Sequence, residues 1–252
     1  MAQDTSNVVP SRLELDDKIK FRCYPGISCF TKCCSNIDIM LTPYDVLRMK
    51  VRLGLSSTDF LEKYTRSEVE KKTGQPQLFI RMNDDQERYC PFVTPGEGCN
   101  IYTDRPAACR YYPVGQVTHR RFEDEKNKKV INDEFYCIVK EEHCRGFDEE
   151  KEWTVDEWRH DQDASLYDEM NREWKDLLMK RMYPGEEIDE KKQAQFYIAS
   201  YDIDRFRRFV FESRFLEVVE VDPDTLAKIK KDELELMRFS FKYLKFLFGM
   251  DA

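Results

Sequence analysis

Nine cysteines in a chain of 252 residues fall into three knots: Cys23, Cys29, Cys33 and Cys34; then Cys90, Cys99 and Cys109; then Cys137 and Cys144. Such clustering constrains what the chain can fold around more than any other feature. An odd count cannot pair fully into disulfides, and a reducing compartment disfavours them. The opening stretch MAQDTSNVVPSRLELDDKIK has no apolar run of the kind a signal peptide carries. The expectation is therefore a cytoplasmic protein whose thiols are metal ligands.

Charge and hydropathy narrow the partners. A net charge of -8 gives no general footprint for nucleic acid, so none is expected. No window approaches the roughly 18 apolar residues of a membrane-crossing helix. With 13% aromatic residues beside 36% charged ones, the chain has the side chains for a core and does not read as disordered.

The pattern of elements predicts an α+β fold, mainly helical. Residues 1 to 20 read as a loosely held arm. Thr42-Pro43 opens a helix that stops at Gly54, and Ser57 opens a short one reaching about Tyr64. Strand character at Leu78 to Met82, Val114 to Phe122 and Lys129 to Val139 predicts one small antiparallel sheet beside the cysteines. A soft boundary near residue 150 divides a loop-rich, metal-organised part, residues 20–150, from a helical part, residues 151–252. In the latter, Thr154 and Glu157 form a capping box, and a helix carries Leu166, Met170, Trp174 and Leu177 to a turn at Tyr183-Pro184-Gly185. Another helix starts at Asp202 or Asp204. The last begins at Asp222-Pro223 and carries Leu234, Met237, Phe241, Leu244 and Phe248 on a stripe read as core, with a membrane-surface helix as the alternative.

The cysteines carry the chemistry. Short loops between thiolates let a little backbone wrap one centre. In extended chain, neighbouring side chains point to opposite sides. On that reading, Cys33 and Cys34 either feed two centres or one of them is a packed thiol. Cys137, inside a strand, reads as a buried free thiol. That leaves Cys23, Cys29, Cys33, Cys34, Cys90, Cys99, Cys109 and Cys144 as candidate ligands, enough for two four-ligand sites or for one with thiols to spare. Arg105 and Arg110 flank Cys109, where cations would offset thiolate charge; the plain alternative is an ordinary salt bridge. Gly146 reads as a place where backbone approaches a cluster, and Tyr111 and Tyr112 as the dry packing around it. Only the interval Cys29-x3-Cys33 fits a zinc knuckle, and His143 is the one histidine beside a candidate ligand. Irregular spacing without histidine partners favours an iron–sulfur cluster over zinc. Cys29-x3-Cys33 also resembles the opening of the radical S-adenosylmethionine motif, but Asn36 stands where its third cysteine is needed.

Taken in order, these elements resemble the YkgJ-type cysteine-cluster family, a zinc- or iron-chelating domain. Cys23, Cys29, Cys33 and Cys34 match its opening knot, and Cys90-Pro91-Phe92 its Cys-Pro-Phe element. Cys99-Asn100-Ile101-Tyr102, Arg105-Pro106 and Cys109-Arg110 match the elements that follow, with Cys144 as the trailing cysteine. The first knot is spaced more widely than is usual in that family. It is closer to the spacing in the related flagellin lysine N-methylases, whose resemblance implies a 4Fe-4S cluster. Three functions stay in view: an iron–sulfur protein in electron transfer or redox sensing with a redox or protein partner, a methylase-like enzyme, and a structural zinc protein. One or two 4Fe-4S clusters are expected, with zinc as the alternative.

Overall fold

The computed structural model describes residues 8–71, 73–124, 129–181 and 188–250. It is an α+β architecture, mainly helical. Along the chain, β1 (Val8–Leu13) and β2 (Lys18–Lys20) precede a 3-10 turn at Lys32–Cys34. Then come β3 (Met40–Leu41), α1 (Pro43–Leu53), α2 (Ser57–Tyr64), β4 (Thr65–Val69) and β5 (Pro76–Ile80). Next are the short strands β6 (Val93–Thr94) and β7 (Gly98–Cys99), α3 (Ala107–Tyr111), and the long strands β8 (Val114–Asp124) and β9 (Lys129–Val139). After β10 (Glu152–Thr154) the chain is helical: α4 (Val155–Asp161), α5 (Ala164–Arg181), α6 (Glu190–Tyr201), α7 (Ile203–Glu212), α8 (Phe215–Val218), α9 (Pro223–Lys231) and α10 (Glu233–Leu247).

Contacts sort these elements into two compact units. The first comprises Met1–Ile37, Met82–Tyr102 and Ala107–Leu166; the second comprises Asp38–Arg81, Thr103–Pro106 and Tyr167–Ala252. Every cysteine lies in the first.

In the first unit an antiparallel sheet runs β1-β9-β8, and β10 pairs with β2. The expected loose arm is thus docked from Val8 onward: Val8 faces Val139 and Leu13 faces Tyr136. The reason is that β1 covers an edge of β9 that would otherwise leave backbone groups unpaired; residues 1–7 lie outside the described residues. Ile19, Phe21, Tyr111, Val114, Tyr136, Cys144, Val155 and Trp158 form the core. Phe21 is its hub, meeting the rings of Phe147, Trp158 and Tyr112 edge-on at 5.2, 5.4 and 5.9 Å. Two indoles tie backbone to this core: Trp153 Nε1 donates to the Phe21 carbonyl and Trp158 Nε1 to that of Tyr111.

In the second unit β5 sits between β3 and β4. The single expected sheet is therefore two: Val114–Asp124 and Lys129–Val139 pair with each other, whereas Pro76–Ile80 pairs with Met40–Leu41 and Thr65–Val69. Met40–Leu41 is too short to signal itself by alternation, and Thr65–Val69, reading TRSEV, is too polar to do so. Helix α1 carries the expected capping box, Thr42 with Asp45, and ends on Gly54 in the left-handed region. Asp202 caps the start of α7 and also accepts the hydroxyls of Ser57 and Thr58. The final helix is broken where one was expected. Asp232 adopts extended φ/ψ and accepts the N–H groups of Leu234 and Glu235, because a short acidic side chain serves better as a cap than within a helix. Leu236, Met237, Phe241 and Leu244 are buried, so the stripe is core. Helix α6 has no strong apolar period and is passed over by the sequence pattern, yet it buries Phe196, Ala199 and Tyr201. The expected turn at Tyr183-Pro184-Gly185 lies outside the described residues. Among the described residues no helix is long and apolar enough to cross a membrane.

Candidate metal centre

Beyond the hub residue Phe21 the chain enters a succession of tight turns. Ile27 N–H donates to the Tyr24 carbonyl, Phe30 to Ile27, Lys32 to Cys29, and Cys34 to Thr31. Thr31, with φ 69°, and Asn36, with φ 49°, are left-handed and bracket the adjacent cysteines. For β-branched Thr31 this is strained, and the strain is held by its surroundings. Thr31 is buried, its hydroxyl donates to the Phe30 carbonyl at 2.6 Å, and it accepts Gly96 N–H at 3.0 Å. Between the brackets, Cys33 and Cys34 share one 3-10 turn, and their sulfurs lie close enough to interact. The extended backbone assumed for this pair is absent, so the directional argument for assigning its members to different centres lapses.

Cys144 reaches the first knot from more than 100 residues away through Gly146. Arg22 N–H donates to the Gly146 carbonyl at 3.0 Å. A Cβ on Gly146 would meet Phe21 Cε2 at 2.5 Å and the Arg22 carbonyl oxygen at 3.0 Å. Gly146 thus permits close backbone approach to Phe21 and Arg22, where the sequence reading expected approach to a cluster. The consequence is that Cys144 lies beside Cys23, Cys29 and Cys33, whose sulfurs influence one another.

The second knot joins through a short antiparallel bridge between Ser35 and Tyr89, with Cys90 N–H donating to the Cys34 carbonyl at 2.8 Å. Cys99 faces Val93 across the β6–β7 hairpin, and its sulfur lies close enough to that of Cys90 to influence it. Cys109 is half-buried on α3. Cys137 is buried in β9, its thiol donating to the Gly115 carbonyl at 3.6 Å. Arg110, 2% exposed, donates to the Gln162 carbonyl at 2.7 Å and lies 3.5 Å from the Asp163 carboxylate. Arg105 is buried within Thr103–Pro106, a segment of the second unit.

Several backbone N–H groups address the sulfurs. Arg145 N–H donates to Cys29 Sγ at 3.2 Å, and the backbones of Gly146 and Phe92 bond Cys144 and Cys90. Tyr112 Oη, close to Cys144, and His143 Nε2, on the residue before it, are buried without a partner of ordinary hydrogen-bond geometry. Amide and hydroxyl donors aimed at sulfur are what a thiolate requires, and they fit a donor set for a thiophilic metal. None of these donors is visible in the spacing of cysteines along the sequence.

The thiols of Cys23, Cys33, Cys90 and Cys144 hold their protons tightly. Burial, then the neighbouring Cys33, Cys29 and Cys144, pushes Cys23 up to about 11; burial likewise takes Cys90 to about 11. The hydrogen bond to Cys34, then burial, raises Cys33 far more, and burial raises Cys144. Gathering this many sulfurs is therefore unfavourable to negative charge unless a cation joins them, and a metal would displace thiol protons as it bound. Among the described residues, no group of three or more Cys, His, Asp and Glu side chains is arranged as a ready-made cage for a metal ion.

Residues 22–138 match the family model CxxCxxCC, whose description is "Putative zinc- or iron-chelating domain". This is the cysteine-cluster family that the sequence resembles. The matched span includes every cysteine except Cys144. No curated protein and no solved structure matches the chain.

Proposed function

We propose that this chain, whose residues 22–138 match the model of a zinc- or iron-chelating domain, is an iron–sulfur protein acting in electron transfer or redox sensing. One observation carries the reading: five sulfurs, Cys23, Cys29, Cys33, Cys34 and Cys144, share a neighbourhood into which backbone N–H groups are directed. In a cluster each thiolate binds its own iron, so four thiols need to be neighbours and need not converge on a point. Amide donors to sulfur stabilise the added negative charge of a reduced cluster and so set its potential. No histidine is required.

On this reading Cys23, Cys29, Cys33, Cys34 and Cys144 supply the principal ligands, and Cys90, Cys99 and Cys109 are the remaining candidates for a second set. When bound, the cluster supplies one-electron chemistry. The protein's own contribution is to hold the thiolates, donate hydrogen bonds to them and exclude water with the Phe21, Tyr111 and Trp158 core. The test is metal analysis of protein purified without oxygen. Brown protein with iron and acid-labile sulfide supports the reading; stoichiometric zinc without sulfide, after iron-sufficient expression, overturns it in favour of a structural zinc site.

A further inference from the structure

Tyr112 stands where α3 gives way to β8. Its ring packs edge-on against Phe21 at 5.9 Å with planes at 79°. The ring is held, yet its hydroxyl is buried with no partner of ordinary geometry. A hydroxyl could have remained on the water side, or a phenylalanine could have filled the same space. The hydroxyl instead lies against the Cys144 sulfur. A thiol sulfur is a weak acceptor, whereas a metal-bound thiolate is a strong one. The unmatched hydroxyl therefore gains its partner in the state where Cys144 is bound to metal.

We propose that Tyr112 is a positioning residue of the metal centre, its hydroxyl donating a hydrogen bond to the sulfur of Cys144 when that sulfur is a metal ligand. The inference rests on the metal-centre reading above and adds a role for a residue that sequence reading assigned to packing alone. Cys144 then accepts two donors, the Gly146 backbone from its own turn and the Tyr112 hydroxyl from α3's end. Each withdraws charge from the sulfur, fixes its orientation and stabilises the thiolate that binds the metal.

The test uses the full chain with cobalt(II) added anaerobically, comparing wild type with Tyr112→Phe, which keeps the ring against Phe21. Loss of the hydrogen bond is expected to move the sulfur-to-cobalt charge-transfer band to lower energy, leave the ligand-field bands in place, and weaken cobalt binding about ten-fold. In a Cys144→Ser background, Tyr112→Phe is expected to change nothing further, because the effect passes through that sulfur. Should the phenylalanine variant fold poorly, 3-fluorotyrosine at position 112 keeps the ring and strengthens the donor, and the band should move to higher energy. Superimposable spectra and equal affinities would overturn the role of Tyr112 alone. A wild-type protein with no charge-transfer band would overturn the metal-centre reading, and this inference with it.

Discussion

Gly146→Ala tests the claim that the trailing cysteine is delivered by backbone contact. The added Cβ would sit 2.5 Å from Phe21 Cε2 and 3.0 Å from the Arg22 carbonyl oxygen. Comfortable carbon contacts lie at about 3.5 to 4.0 Å, so roughly 1 Å must open. A ring tip on an exposed side chain would swing away, but Phe21 is 1% exposed and surrounded by Tyr112, Phe147 and Trp158. The second obstacle is backbone, already committed to the bond from Arg22 to Gly146. Overpacking of this kind costs about 1 to 3 kcal/mol. Restricting the unfolded chain offsets some of that, about 0.4 to 1 kcal/mol. The net expectation is about 1 to 2 kcal/mol, equivalent to a fall of roughly 2 to 8 °C in melting temperature for a chain of this size. Urea unfolding followed by far-ultraviolet circular dichroism measures the first, and metal per chain should fall in the same variant because Cys144 is displaced. Adding Phe21→Leu relieves the nearer clash, so the double variant should be less destabilised than the two single changes summed. A Gly146→Ala protein within 0.5 kcal/mol of wild type, with normal metal content, would refute the contact argument.

Two further outcomes follow from neighbouring geometry. Cys29→Ser should lower metal per chain, because the Cys29 sulfur accepts the Arg145 N–H within the thiol group, whereas Cys137→Ala should leave metal content unchanged; equal losses from both would show that Cys137 is a ligand. In the second unit, burial pushes the Asp204 carboxyl up, but Ser57 N–H and Lys50 outweigh it and hold the carboxyl below its usual value of 3.8. Its stabilising contribution is therefore complete above that value and is lost as pH falls through the lower, folded one. Asp204→Asn should lower stability at neutral pH and flatten the acid limb of the stability profile, and an unchanged acid limb would contradict the assignment.

Much of the helical architecture is legible because its signals are local. Thr42-Pro43 and Thr154 with Glu157 start helices where their caps predict, Gly54 ends one, and Asp202 starts another. What the sequence withholds depends on partners far along the chain. Met40–Leu41 is too short to alternate and becomes a strand because β5 lies beside it. Val8–Leu13 resembles a free arm until β9 offers it an edge. Asp232 breaks a long apolar stripe because one side chain captures two backbone donors, a choice that hydrophobic period cannot reveal.

The site divides along the same line. Which residues carry thiols, and that they gather in knots, is written in the sequence; how the knots meet is written in hydrogen bonds between distant backbones. Arg22 with Gly146 and Cys34 with Cys90 are two such links, the Thr31 hydroxyl adds a third by accepting Gly96 N–H, and each joins segments that hold cysteines. Spacing rules fail here for a physical reason. They assume that neighbouring ligands reach a metal through the loop between them, whereas the Cys33–Cys34 pair is turned by a 3-10 segment bracketed by left-handed Thr31 and Asn36. Reversing the backbone twice within six residues brings adjacent thiols to one side, which extended chain cannot do. The same turn leaves Cys34's carbonyl free to receive Cys90's N–H, so the conformation that pairs two sulfurs of the first knot also docks the second.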